Sequence, residues 1–568
     1  MKWMSHRPWA LVLGWWLLMG GWTEAAEQTL QHRWVYCSFN LLVEENVEKL
    51  QGVMRQAARA GYNGIVLADY KFNLLDRMIP RYFEHVARVK RTAQELGLEL
   101  IPCVFPIGYS NGLLAHDPNL AEGLPVRDAL FVVKNGQADL VADPPVRLRN
   151  GDFEQVNGNT FVGWKWQDEP GKITFADRQV VHRGRLSLRV ENIGRYDPKH
   201  GHGRIMQAVR VAPFRQYHVS VWVKTRDFER ASGVRIAVLA PDGKSLNYTD
   251  LRVKPTQEWT QHHIIFNSLS YDEVRLYLGV WGGKGGTLWW DDARLEEVGL
   301  LNVLRRPGCP LTVKGEDRAV YEEGRDFEPV RDERLGVVPW AGEYEVYHQP
   351  PVLRLTPNSR LREGQRLRVS FYHPVVIYRG QVMCCLSEPK VYDLLRDQAE
   401  RVQRLLSPRG FFMSHDEMRV ANWCAACQAR KMRPGQLLAD NVRRCVEILR
   451  AVNPRATIYV WSDMFDPFHN ARGDYYLVNG SWEGSWEGLP SGVVIVNWFF
   501  RERKRNLPWF AQRGHRQILA GYYDKRQFYT PQWLAEARGV SGIIGVMYTT
   551  WRSEYKDLEG FAQAVWGR

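Results

Sequence analysis

Cysteine is scarce: eight in 568 residues are too few to scaffold a chain of this length, so any bridges they form are local staples. After the N-terminal segment no apolar run has the roughly 20 residues needed to cross a bilayer, which excludes a polytopic membrane protein. No basic run is interleaved with aromatics. The net charge of +13 is spread thinly, arguing against a nucleic-acid groove and for solubility or attraction to acidic glycans. Extended disorder is excluded too: with 45% hydrophobic and 12% aromatic residues the chain can bury several cores and should divide into roughly three or four domains.

What is present begins with a leader pattern. "MKWMSHRPWALVLGWWLLMGGWTEAAEQ" opens basic at Lys2 and Arg7, runs apolar from Trp9 to Trp22 and ends on the small residues Ala25 and Ala26. This predicts a signal peptide over residues 1–26, a secreted or periplasmic destination, and no stable membrane insertion once the leader is removed.

Strand and helix signals then alternate. "RWVYCSFN" (33–40) precedes a helical spacing of Val47, Leu50, Met54 and Ala57 that stops at Gly61, and "NGIVLADY", a helix over 81–96 and "LELIPCVFP" repeat the unit. Continuous apolar runs of this kind read as buried parallel strands. From Arg149 to Val298 the rhythm changes to short alternating strands with frequent turns, an all-β module, and residues 300–386 form a second β-rich piece. Helical spacing returns at Pro389, followed by five further strand signals: "GFFM", "ATIYVW", "VVIVNWFF", "QILAGYYD" and "GIIGVMYTTW". Three and five make eight, with "GQVMCCLSEP" (380–389) taken as the end of the insertion. The expected fold is therefore α/β, a (β/α)8 TIM barrel interrupted after its third strand by β-sandwich or jelly-roll insertions: barrel over 27–145, jelly-roll module over 146–299, small β-rich domain over 300–386 and the rest of the barrel over 387–568.

In "GFFMSHDEMRV" (410–420) the fourth strand stops at a histidine followed by Asp416 and Glu417. A plain strand terminus whose carboxylates pair with Arg419 would look the same, but the C-terminal ends of barrel strands are where catalytic side chains collect. Later strand ends carry Trp461 and Asp463, Asn497 and Trp498, Tyr522, Tyr523 and Asp524, then Thr550, Trp551 and Glu554. Aromatic walls with a few carboxylates and amides suit sugars, whose apolar C–H faces lie between hydroxyl groups. The expected partner is an oligo- or polysaccharide.

The Asp416–Glu417 pair on a fourth strand, with tryptophans at later strand ends, resembles the β-N-acetylhexosaminidases and related retaining glycosidases, over about half of the chain. That family places glycines between the histidine and the Asp-Glu pair, whereas here His415 abuts Asp416. The resemblance implies that Glu417 is the acid and base, that Asp416 holds and polarises a 2-acetamido group whose carbonyl attacks the anomeric carbon, that Trp461, Trp498 and Trp551 wall the pocket, that Tyr522 or Tyr523 supplies a hydroxyl, and that catalysis needs no cofactor. Mutual repulsion of the two carboxylates would keep Glu417 protonated near neutrality. "NGDFEQ" and "WWDDARLEEV" at the ends of the inserted module resemble jelly-roll carbohydrate-binding modules, which implies a structural calcium at Asp152, Glu154 and Asp292.

Two other readings stand beside this one. A two-carboxylate retaining enzyme would keep Glu417 as acid/base and use Asp524 or Asp463 as nucleophile; a non-catalytic glycan-binding protein would leave the work to the β modules. The CxxC at Cys424 and Cys427 has only Cys445 near it in sequence. Free thiols or a short-loop disulfide fit better than zinc, for which the neighbouring sequence supplies no fourth ligand.

Overall fold

The computed structural model describes residues 30–249, 251–524 and 528–567. The expected signal peptide, residues 1–26, lies outside them. No helix among the described residues is long and apolar enough to cross a membrane.

Eight parallel strands close into a barrel: His32–Ser38, Gly64–Ala68, Glu99–Val104, Gly410–Met413, Thr457–Trp461, Val494–Asn497, Gln517–Tyr522 and Ile543–Thr549. The eighth pairs back on the first, Trp34 opposite Met547. The third pairs directly with the fourth, Val104 opposite Met413, across the whole insertion. Gly380–Pro389 contributes no barrel strand.

The apolar runs follow from burial on both faces of each strand. In the first, Trp34 and Tyr36 join the cluster inside the ring with Val66, Ile101, Phe412, Trp461 and Met547, while Val35 and Cys37 point outward into the layer packed by helices. Helix Glu44–Arg59 meets that layer with Val47, Leu50, Val53, Met54 and Ala57; its acidic first turn and basic last turn suit the helix dipole. Helices Pro80–Glu95, Pro389–Leu406 and Pro434–Val452 each start on a proline, whose missing N–H costs nothing at that position.

The expected fold class is corrected on two counts. A TIM barrel carries a helix after every strand, but the link from the fifth strand to the sixth holds no α-helix, only the 3-10 turns Asp463–Phe465 and Ser485–Gly488 and the short strand Leu477–Val478. The described residues are sheet-rich, with 25% in helix. The link departs from a helix because its side chains are engaged elsewhere. Asp463 folds back as a buried carboxylate to accept the Glu417 N–H, Asp466 is buried against Phe468 N–H and Asn506, and "NGSWEGSWEGLP" breaks helical spacing with glycines.

Among the described residues the insertion forms three larger sheets and a two-stranded one, Val156–Asn157 with Thr160–Phe161. Five antiparallel strands between Thr174 and Val298 face four strands between Trp166 and Val280, and both contribute to one core around Val219, Ile236, Leu276, Leu278 and Trp290. The third sheet has six strands and is assembled from both sides of that module: Leu124–Lys134 and Gln137–Leu140 pair with Arg366–His373 and Leu353–Arg354.

Candidate functional site

The fourth strand ends at Met413, and the next residues turn across the mouth of the barrel. His415 is driven inward: it is fully buried, its Nε2 lies 3.1 Å from Asn441 Oδ1, and burial pushes its pKa down to about 3. It ties the turn to helix Pro434–Val452 and does not face the pocket. Asp416 and Glu417 face the mouth, each partly exposed. Glu417 takes a positive φ of 47°, a conformation that costs a non-glycine residue of order 1–3 kcal/mol and recurs at functional sites.

That backbone strain is held by bonds on every side. The Glu417 N–H donates to Asp463 Oδ2 at 2.9 Å, its carbonyl accepts from Gln381 Nε2 at 2.9 Å, and its carboxylate pairs with Arg419 Nη2 at 2.7 Å and accepts from the Tyr109 hydroxyl. Arg419 is itself buried against the rings of Tyr378 and Tyr476 at 5.0 and 5.2 Å and donates to Gln381 Oε1 and to the Tyr109 oxygen. The ion pair therefore sits on Glu417. Asp416 receives one hydrogen bond, from Ser414 Oγ at 2.9 Å, and burial together with the charges of Asp463 and Glu417 raises its pKa to about 7. Asp463 behind it is pushed to about 6, chiefly by burial. Three carboxyl groups thus share the mouth: Asp416 and Asp463 are the two raised by burial, and Glu417 is the one paired with Arg419.

The aromatic residues divide into a wall and a frame. Trp461 lies inside the ring against Phe412 at 4.8 Å and reaches Trp551 at 6.2 Å; Trp498 stacks on Tyr523 at 5.8 Å and donates its Nε1 to Asp463 Oδ1 at 3.3 Å. Tyr523 approaches Trp551 at 6.1 Å, and its hydroxyl is buried without a partner. Trp551 is 53% exposed, so the wall has one open panel. Asp524 sets it, with one carboxylate oxygen taking the Trp551 N–H at 2.8 Å and the other taking the Thr550 hydroxyl. Tyr522 belongs to the frame, its hydroxyl donating to Asp557 at 2.6 Å. Asn497 does too: it is fully buried and spends its amide on Phe499 N–H and Gln517.

Tyr36, Tyr109, Gln381 and Arg419 complete the site. Tyr36 contacts Trp551 at 5.2 Å from the first strand. Only Arg419 had a sequence signal, two places after Glu417; Tyr109 and Gln381 come from the two roots of the insertion and meet only in the fold. Gly108 is their neighbour, and a Cβ there would lie 2.0 Å from the Asp416 carbonyl oxygen. Gly108→Ala is therefore expected to shift the Asp416–Glu417 turn, destabilising the protein by about 1–3 kcal/mol in a melting experiment and lowering turnover with it. An unchanged melt and rate would mean that the turn yields freely.

The residues expected to hold calcium are not drawn into one donor cluster among the described residues. Asp152 is exposed, Glu154 Oε1 accepts the Arg185 and Leu186 N–H groups at 2.6 and 2.9 Å, and Asp292 contacts His182 at 3.0 Å.

Residues 147–285 match the family model of a carbohydrate binding domain. Among solved structures, TmCBM61 in complex with β-1,4-galactotriose is similar over 27% of this chain and 97% of that chain, at 21% identity and a TM-score of 0.20. The CBM22-1 xylan-binding domain from Paenibacillus barcinonensis Xyn10C is similar over 26% and 92%, at 15% identity and a TM-score of 0.20. A rhamnosidase from Novosphingobium sp. PP1Y is similar over 92% of this chain and 55% of that chain, at 11% identity and a TM-score of 0.31. No curated protein matches the chain.

Proposed function

We propose that the protein is a secreted glycoside hydrolase acting on sugars with a 2-acetamido group, in which the substrate's own carbonyl, rather than a protein carboxylate, attacks the anomeric carbon. The observation that carries this reading is the occupancy of the carboxylates. Asp463 is fully buried and its two oxygens already accept from Glu417, Asn470 and Trp498; both oxygens of Asp524 are taken by the loop that presents Trp551. Neither is free to serve as nucleophile. Asp416 and Glu417 remain, and two adjacent carboxyls suit the substrate-assisted route: Asp416 accepts the acetamido N–H and orients its carbonyl, and Glu417 gives the leaving oxygen its proton. The neighbouring carbohydrate-binding module would hold the polymer near this mouth, and calcium in that module remains part of the proposal.

A screen of paired aryl glycosides, with and without the 2-acetamido group, tests it. Turnover confined to the acetamido series, inhibited by a thiazoline mimic of the cyclised intermediate, is the expected outcome. Equal turnover of plain 2-hydroxyl sugars, with a covalent adduct trapped on Asp524 or Asp463, would replace this reading by the two-carboxylate one; no turnover on any glycan would leave a binding protein.

A further inference from the structure

Away from the barrel mouth, four buried donors converge where the insertion leaves and rejoins the barrel. Cys385 Sγ lies 3.5 Å from both Cys424 Sγ and Cys427 Sγ, and Glu122 Oε2 lies 3.5 Å from each of the latter two. All four residues are buried, and their ligand atoms lie within 4.8 Å of one another. All eight cysteines are free.

A buried carboxyl oxygen facing only thiols is poorly satisfied, because S–H is a weak donor. A divalent cation at the centre removes the difficulty. With Zn–S near 2.3 Å and Zn–O near 2.1 Å, a tetrahedron places its sulfurs ~3.8 Å apart and each sulfur ~3.6 Å from the oxygen, close to the separations above. The surroundings match as well. The other Glu122 oxygen accepts the backbone N–H groups of Trp423 and Cys424 at 2.7 and 3.0 Å, which orients the carboxyl, while Ser387 donates its N–H to Cys385 Sγ at 3.4 Å and its hydroxyl to Cys427 Sγ at 3.2 Å. The guanidinium of Arg306, pinned by Asn119, Ala121 and Glu388, adds a positive charge beside the sulfurs.

We propose that Glu122, Cys385, Cys424 and Cys427 form a structural site for a borderline-soft divalent cation, zinc, that staples both ends of the insertion to the loop following Arg419. Each ligating thiol gives its proton to solvent on binding, and so does Glu122 where it is protonated; no oxidant or reductant takes part. Four protein ligands close the coordination shell, so the site is structural rather than catalytic. Cys445, the nearest cysteine in sequence, sits in helix Pro434–Val452 outside the set.

The full chain, purified after expression with added zinc, should contain about one zinc per molecule by elemental mass spectrometry. Cobalt exchanged for it should give thiolate charge-transfer and tetrahedral ligand-field absorption. Chelation should lower the melting temperature by about 5–10 °C, restored by zinc and not by calcium. Cys427→Ser and Glu122→Gln should lose the metal, and Cys445→Ser should keep it. These readouts are independent of any glycosidase activity. Substoichiometric metal in the unaltered chain would overturn the proposal without needing a variant, as would a disulfide among Cys385, Cys424 and Cys427 in the intact protein. Metal retained by Glu122→Gln but lost by Cys309→Ser would overturn the assignment of the fourth ligand.

Discussion

Changing Glu417 to Gln is expected to lower kcat/KM by about 100-fold or more on glycosides with poor leaving groups, and far less on activated aryl glycosides, whose departing oxygen needs no proton. The shape of the side chain is kept and the Tyr109 hydroxyl keeps an acceptor, but the proton and the charge are lost. Arg419, only 4% exposed, then faces a neutral amide in place of its 2.7 Å partner, so the variant should also melt lower, because a buried cation without its counter-charge is costly. The two effects separate by experiment. Lost stability lowers the rate on every substrate alike, whereas loss of the acid shows as dependence on leaving-group pKa. A Glu417→Gln enzyme with full activity on poor leaving groups would remove Glu417 from the chemistry.

Asp416→Asn should move stability and turnover in opposite directions. In the unfolded chain this carboxyl has the ordinary value of 3.8, and in the fold it stands at about 7. Between those values the folded protein binds a proton that the unfolded chain has released, so stability falls as pH rises through this window, by at most about 4 kcal/mol, a loss shared with the neighbouring Asp463. Asparagine does not titrate. The variant should therefore show little advantage near pH 4, gain melting temperature progressively towards pH 7, and hold that gain above it. Activity on 2-acetamido sugars should fall by about 10- to 100-fold, the worth of a hydrogen bond to a charged group. A melting difference that does not change between pH 4 and pH 8 would contradict the environment described for Asp416.

The strands of the barrel were legible because each is a short apolar run buried on two faces, and the site was legible in outline because Asp416, Trp461, Trp498 and Trp551 follow such runs directly. The roles inside the site were not. Whether a carboxylate is free or spent depends on partners distant in the chain: Tyr109 is 308 residues from the Glu417 it touches, and Gln381 reaches Gly108 across 273 residues. The same distance hid the six-stranded sheet, in which Leu124–Lys134 finds its main partner in Arg366–His373. It also hid the thiol cluster, because the CxxC draws its other ligands from residues 39 and 302 positions upstream of Cys424. The missing helix after the fifth strand shows the opposite limit: the glycines that forbid it were visible, and the count of eight units passed over them.

The direct pairing of the third strand with the fourth bears on how the protein is made. Phe105 N–H bonds to Gln398, 293 residues later, and at 5–20 residues per second a ribosome needs roughly 15–60 s to deliver that partner. For that interval three parallel strands are out of the ribosome with the outer edge of Glu99–Val104 unpaired, long enough for unprotected apolar edges to find one another. The inserted module meanwhile has all of its own strands and can fold as it emerges. Translation rate and chaperone supply should therefore govern the yield of active protein more than the equilibrium stability of the finished barrel does.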